Sequence, residues 1–483
     1  MDSTPYFPGF KPQGGRQRIS AQARFKQEYN KVKAYQISHF RNLFQGILPA
    51  DLFSKKSSQL NSRDRIFTVE VTFWAFLTQV LCGNGSCREA VKAVQGWLNL
   101  TIETAVSSNT ASYCGARARL SYFRLHTILK HVTTKSSKTS KDQLWCGRRV
   151  KMVDGTNLRL ADTAKNQHEW PQPSGQKKGC GFPVVQLQGL ICLATGTLLD
   201  WAETPLTVSD SKAWKALWRF LSVGDVILAD RGYDSYAALN LLKKQNVDMV
   251  VRKNSRRKFK KENATRIGKN DWLVTWTKPR SKPKGMTEDE WNLLDQEMVV
   301  REIRYLVENN GFRTQKVTIS STLLDSKIYT ANDLADLYEK RWGIEVRFRD
   351  IKTTMGMAEL KGKTPDMIKK EIVMMAIGYN LIRALINQAL KENSSLSYER
   401  VSIAGTLSQI RQQAHNFKDL SIAQLRSMKK LFLESLIDAP VPDRPGRCEP
   451  RAVKRRRRKY KLLTVTRSKM IVEPHRDKYR KTD

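Results

Sequence analysis

A phenol, a guanidinium, a carboxylate and an ammonium stand at Tyr338, Arg341, Glu345 and Lys352, in a proline-free stretch whose start Thr330 or Asn332 can cap. At a helical rotation of about 100° per residue, all four fall within about 60° of arc. A solvated helix face ordinarily spreads its charges around the cylinder. One acid ringed by donors on a narrow stripe instead suits a surface that grips a phosphodiester beside a metal ion.

Two further acids fit the same chemistry. Residues 149–156 read as a short apolar strand ending in Asp154-Gly155. This puts Asp154 at a strand's carboxyl end, where open α/β sheets place their ligands. Taken alone, Asp-Gly would be read as a hairpin turn. Val226–Ala229 is a second apolar run, fit for the centre of a sheet, and it ends in Asp230, with Gly232 allowing a sharp turn after it. Asp162 in a turn, Glu203 two residues before a proline and Asp234 as a helix N-cap are weaker candidates. No histidine has a partner at a catalytic spacing. Trp342 points away from the stripe and reads as core.

The spacing Tyr-x2-Arg-x3-Glu-x6-Lys resembles the signature of DDE transposases of the insertion-sequence-4 family. The resemblance covers most of residues 60–465, including the runs around Asp154 and Asp230, the loop 166–183 and Leu360–Pro365. It implies an α/β ribonuclease-H-like catalytic core interrupted by a β-rich insertion. Its three acids would be Asp154, Asp230 and Glu345, holding two Mg2+ or Mn2+ ions, with Asp154 the candidate to bridge both. Tyr338, Arg341 and Lys352 would hold phosphates near the cleaved end. The implied activity is cleavage at the terminal inverted repeats of a mobile element and joining to target DNA, cut-and-paste, by a dimer formed on DNA. A hairpin at the excised end is a further implication of the resemblance. No small-molecule cofactor is expected.

The bulk composition agrees with a polyanionic partner. The 483 residues carry 85 Lys and Arg against 46 Asp and Glu, a net charge of +39 on an otherwise ordinary composition that is 40% hydrophobic. Seven cysteines lack CxxC or Cys/His metal spacing and read as reduced thiols. The first residues lack the charged-then-apolar order of a signal peptide. The apolar runs Val184–Leu199 and Ile372–Leu390 are interrupted by polar residues, so no membrane association is expected. The setting expected is cytoplasmic, at the nucleoid.

Along the chain, residues 1–30 read as a loose basic arm and 31–143 as an α-helical N-terminal domain. That domain carries an apolar helix at Phe67–Leu81, a second helix capped by Ser86, and a third over Tyr113–Leu129 bearing Arg117, Arg119 and Arg124. DNA contact by the third is favoured narrowly over a plain helical bundle. Residues 144–253 and 329–392 form the two parts of the core, with a capped helix over Ser209–Leu221, and 254–328 the insertion. A helical region, 393–440, and a basic tail, 441–483, follow; residues 451–461 are dense in Arg and Lys and able to neutralise phosphates. Candidate DNA contacts outside the stripe are Arg231, Trp170, Lys177, Lys178, Arg256 and Arg257. Trp170 is expected to stack on a strand that the lysines track.

Overall fold

The structure is a computed structural model, and it describes residues 42–44, 46–48, 53, 66–82, 85–99, 107–259, 261–283, 285–307, 315–392, 396–417, 420–442 and 463–469. The expected arm at 1–30 and the basic run at 451–461 lie outside the described residues.

One mixed sheet of ten strands runs through the molecule. Its strands are β1 (Val150–Leu160), β2 (Val184–Cys192), β3 (Leu198–Pro205), β4 (Val226–Ala229), β5 (Asp248–Arg252), β6 (Ala264–Gly268), β7 (Asp271–Thr277), β8 (Glu297–Val307), β9 (Gln315–Ser321) and β10 (Glu359–Leu360). Their order is 3-2-1-4-5-9-8-7-6, with β10 beside β1. β1, β4 and β5 are parallel neighbours, and the remaining strands are antiparallel except β10, which joins β1 in parallel. The stretch read as an insertion therefore extends the core sheet, because β9 pairs with β5.

Strand alternation divides the core. Val150, Met152, Val226, Leu228 and Val250 face one helical layer, while Val153, Ile227, Ala229, Met249 and Val251 face the other. A strand buried on both faces needs apolar side chains at successive positions, which is why Val226–Ala229 is Val-Ile-Leu-Ala. The first layer is centred on the helix Pro365–Glu392, whose Thr364 hydroxyl accepts from the Met367 amide. Among the described residues this is the one helix long and apolar enough to cross a membrane, but 83% of its apolar window is buried inside the protein, so it is a core helix.

The N-terminal helices pack onto that long helix. Thr68 caps Val69–Leu81, which buries Phe73, Trp74 and Leu77 in the same core as Ile372 and Ile377. The expected third helix is two helices, Ala111–Arg119 and Tyr122–Ser136, because the Ser121 hydroxyl takes the Arg124 amide and starts a new one. Arg117 is no DNA contact. It is 4% exposed, pairs with Glu371 of the long helix at 2.9 Å and lies 4.1 Å over the Phe76 ring. The segment read as one helix over Ser209–Leu221 is a short helix, Asp210–Lys215, followed by a tight turn at Trp218–Phe220.

Candidate active site

β1 does not end at Asp154. It continues to Leu160 because β2 pairs with it from Lys151–Cys192 through Arg159–Val184, so Asp154-Gly155 is strand rather than turn. What ends early is the parallel pairing: β4 stays beside β1 only through Met152–Leu228, and β10 rejoins the same edge at Arg159. Asp154 lies in the gap between them, with the parity of Met152, on the face covered by the long helix and by Gly343–Arg349. Asp230 follows β4 directly, and its carboxylate accepts from the Gly232 amide at 2.8 Å.

The third acid is delivered by a helical run. Thr330 caps Ala331–Glu339 in a reciprocal box with Asp333, the first turn the sequence led one to expect. A tight turn at Lys340–Trp342 leads into Gly343–Arg349, and a wider π turn follows at Asp350–Thr354. The pitch is therefore not constant, and the stripe holds only in its first part. Arg341 lies 5.9 Å from the Tyr338 ring and its Nη2 donates to Glu345 Oε1 at 3.2 Å. Lys352, on the π turn, is half-buried against a small cavity shared with Thr156 and Phe348. Among the described residues no ion pair joins it to the three acids.

Two contacts set the height of this helix over β1. Gly189 is the partner of Asp154 across β2, and a Cβ there would meet the Phe348 ring at 3.0 Å. The missing side chain lets Phe348 settle onto the sheet beside Asp154. At the other end, Asp350 stands 3.6 Å from both Arg347 and Arg383, and both guanidiniums lie over the Tyr398 ring.

The acids act on one another. Burial pushes the Asp154 carboxyl up to about 6; the Gly155 amide and Arg341 pull it back, while the charges of Asp230 and Glu345 push it further. Arg341 is held by Asp154 as well as Glu345: its Nη1 lies 3.8 Å from Asp154 Oδ2. Burial likewise raises Tyr338 to about 12, against the pull of Arg341 and with a push from Asp230. The donor set is that of a hard divalent cation: three carboxylates, with one Asp154 oxygen and one Asp230 oxygen steadied by a backbone amide. Among the described residues no three ligating side chains stand together so that they could hold an ion. The donor chemistry fits, with the helix acid still paired to Arg341.

Several expectations fail. Trp170 is 2% exposed and belongs to the main core, with Lys369 5.9 Å from its ring, so it stacks on no strand. Arg257 lies 3.7 Å over the Trp276 ring and 3.7 Å from Asp234, a structural position. Asp234 is no N-cap: Ser235 holds that place, and the buried Asp234 carboxylate takes the Asn254 amide at 2.6 Å. Trp342, read as core, is 61% exposed. Lys177, Lys178, Arg231 and Arg256 are exposed, the two lysines on a loop held by Gln172, whose side chain bonds the backbone of Gln176, Lys177, Gly179 and Gly181.

Sequence reasoning missed Arg252, Tyr305, Gln188 and Tyr233. Arg252 ends β5 one residue past the Ala229–Val251 pair, level with Asp230 just after β4, so the strand-end rule that pointed to Asp230 would have pointed to it. Its charge bears on Tyr338 and on Tyr305 of β8. Tyr233 donates to Gln188 behind the acids, and burial, then Asp154, Asp210 and Asp230, raise its phenol. No local pattern marks Gln188 or Tyr305.

One acid lies inside β1 just past its parallel pairing with β4, a second directly follows β4, and a third is on the helix laid over the sheet, an arrangement suited to metal-dependent phosphodiester chemistry. Residues 145–381 match the family model described as a transposase DDE domain. The chain is 23% identical over 319 residues to the transposase InsG for insertion sequence element IS4 of Escherichia coli (strain K12), covering 65% of this chain and 70% of that protein. It is 23% identical over 279 residues to the probable transposase for insertion sequence element IS5377 of Geobacillus stearothermophilus, covering 57% of this chain and 67% of that protein. The chain is thus similar to insertion-sequence transposases, with a DDE domain over residues 145–381, which supports a metal-dependent enzyme that cuts DNA and transfers strands.

Proposed function

We propose that this transposase binds the terminal inverted repeats of an insertion sequence, cleaves at the element ends and joins them to target DNA by a cut-and-paste route. The observation that supports the reading is the pairing of Arg341 with both Asp154 and Glu345, which links the helix acid to the acid on β1.

Asp154, Asp230 and Glu345 would hold two Mg2+ or Mn2+ ions. When bound, such ions activate a water or a DNA 3′-hydroxyl and stabilise the departing oxygen of an in-line displacement. The chain's own residues do the placing. Tyr338 offers a phenol that burial keeps protonated, so it donates to a phosphate oxygen. Arg341 forks onto a phosphate, and Lys352 acts as a point charge further along. Arg231, Lys177, Lys178 and Arg256, all exposed, would follow the backbone of the bound DNA. The protein would work as a dimer on DNA, in the cytoplasm at the chromosome.

The test is DNA carrying the repeats that flank the element, mixed with protein and Mg2+ or Mn2+, beside a Glu345→Gln control. Cleavage at the repeat ends by the parent protein and none by the control is expected. Nicking with no joined product would reduce the protein to a nuclease, and binding without cleavage by either would remove the catalytic reading.

A further inference from the structure

The Arg341 side chain carries two demands that conflict. It is 11% exposed, and its two terminal nitrogens are spent on Asp154 Oδ2 and Glu345 Oε1. Asp154 Oδ1 already accepts the Gly155 amide, so Oδ2, the oxygen that faces Arg341, is the freer one for a cation, while on Glu345 the guanidinium takes Oε1. A guanidinium and a divalent ion cannot share the same carboxylate lone pairs at short range, since both are cations and each needs the oxygens' in-plane directions. Nη1 of Arg341 is also buried without a hydrogen-bond partner, its approach to Asp154 being an ion pair at 3.8 Å. Such a group gains by exchanging a long contact for a short one.

We propose that Arg341 is an internal competitor for the metal site: its guanidinium occupies the carboxylates of Asp154 and Glu345, and divalent ions bind fully only when it swings off them toward a DNA phosphate. Loading of the ions is thereby coupled to arrival of DNA, with the same arginine in both roles. This inference rests on the assignment of the three acids as ligands, and its test separates the two.

Neighbouring groups make the move local. Tyr338 lies under the guanidinium at 5.9 Å and exposed Trp342 flanks it at 5.9 Å, so the side chain can rotate without opening the core. Arg252, whose charge also bears on Tyr338, keeps a positive field there after Arg341 departs.

The probe is Mn2+ alone, its free concentration read by electron paramagnetic resonance in titrations of the DNA-free, full-length protein. Arg341→Gln should bind Mn2+ about tenfold or more tightly than the parent, because a cation beside the ligands is gone. Arg341→Lys keeps the charge but loses the fork, and should fall between the two; it also stands in if the glutamine variant melts early by circular dichroism. Equal or weaker binding by folded Arg341→Gln overturns the competition. Glu345→Gln is the separate control. If it binds Mn2+ as well as the parent, the triad assignment fails and the inference with it; if it binds less while Arg341→Gln equals the parent, the triad stands and only the competition is lost.

Discussion

Asp154 and Asp230 lie in register. The last parallel pair between β1 and β4 is Met152–Leu228, and each acid comes two residues beyond its strand's member of that pair. The two acids thus lie just past the point where the β1–β4 pairing stops and the helix Gly343–Arg349 covers β1. The ladder that aligns them is made by the buried residues 150–152 and 226–228, none of which does chemistry.

Because the register sets both acids together, Asp154→Asn and Asp230→Asn are expected to be equivalent. Each should lower cleavage of repeat-end DNA at least about a hundredfold, the scale lost when even an outer partner of a metal ligand is removed. Binding of the same DNA, read by gel shift without metal, should be retained.

Gly189→Ala tests the height of the catalytic helix. The added methyl would meet Phe348 at 3.0 Å, so the ring and the helix bearing Glu345 must shift. A misplacement of this size is expected to slow single-turnover cleavage between about tenfold and a hundredfold. Adding Phe348→Leu should restore part of the rate, and failure of the double variant to recover would remove the steric explanation.

Arg117→Ala is expected to destabilise the fold by roughly 3–5 kcal/mol, the cost of leaving a buried partner charge uncompensated. The Glu371 carboxylate also accepts the Lys361 and Gly362 amides, so it cannot retreat to solvent. Arg117→Met with Glu371→Gln should recover much of the loss in urea unfolding. A surface role in DNA binding would instead leave stability unchanged.

Asp200 provides a pH signature away from Asp154, Asp230 and Glu345. Burial, opposed by the Trp201 amide and Arg219, raises its carboxyl to about 6. With the folded value above the unfolded one, the stabilisation is full below the unfolded pKa, near 4, and is lost as pH rises through about 6. Asp200→Asn should therefore flatten the fall in stability between pH 4 and 6 and gain about 1–2 kcal/mol at pH 7, discounted for partial exposure. An unchanged slope in thermal melts across that range would refute it.

The sequence by itself pointed to the three candidate acids, to the apolar strands β1 and β4 in or after which two of them stand and to the helical run that carries the third. These are written in near neighbours: an apolar run ending in an acid, a cap at Thr330, a repeat of charges at helical spacing. It also determined the long buried helix from Pro365, which is apolar nearly all round, and the excess of positive charge. Tertiary structure decided the rest. Trp170 and Arg117 are buried, Trp342 is exposed and Arg257 is laid on Trp276 because burial depends on which element covers a face, and those partners lie far along the chain. β1 runs on through Asp154-Gly155 because β2 pairs with both residues, overriding the local preference of Asp-Gly for a turn. The distance between Glu345 and the strand acids was the last thing to be fixed. It is set by a ring packed on a glycine and by one guanidinium shared between two carboxylates, contacts that no local pattern can announce.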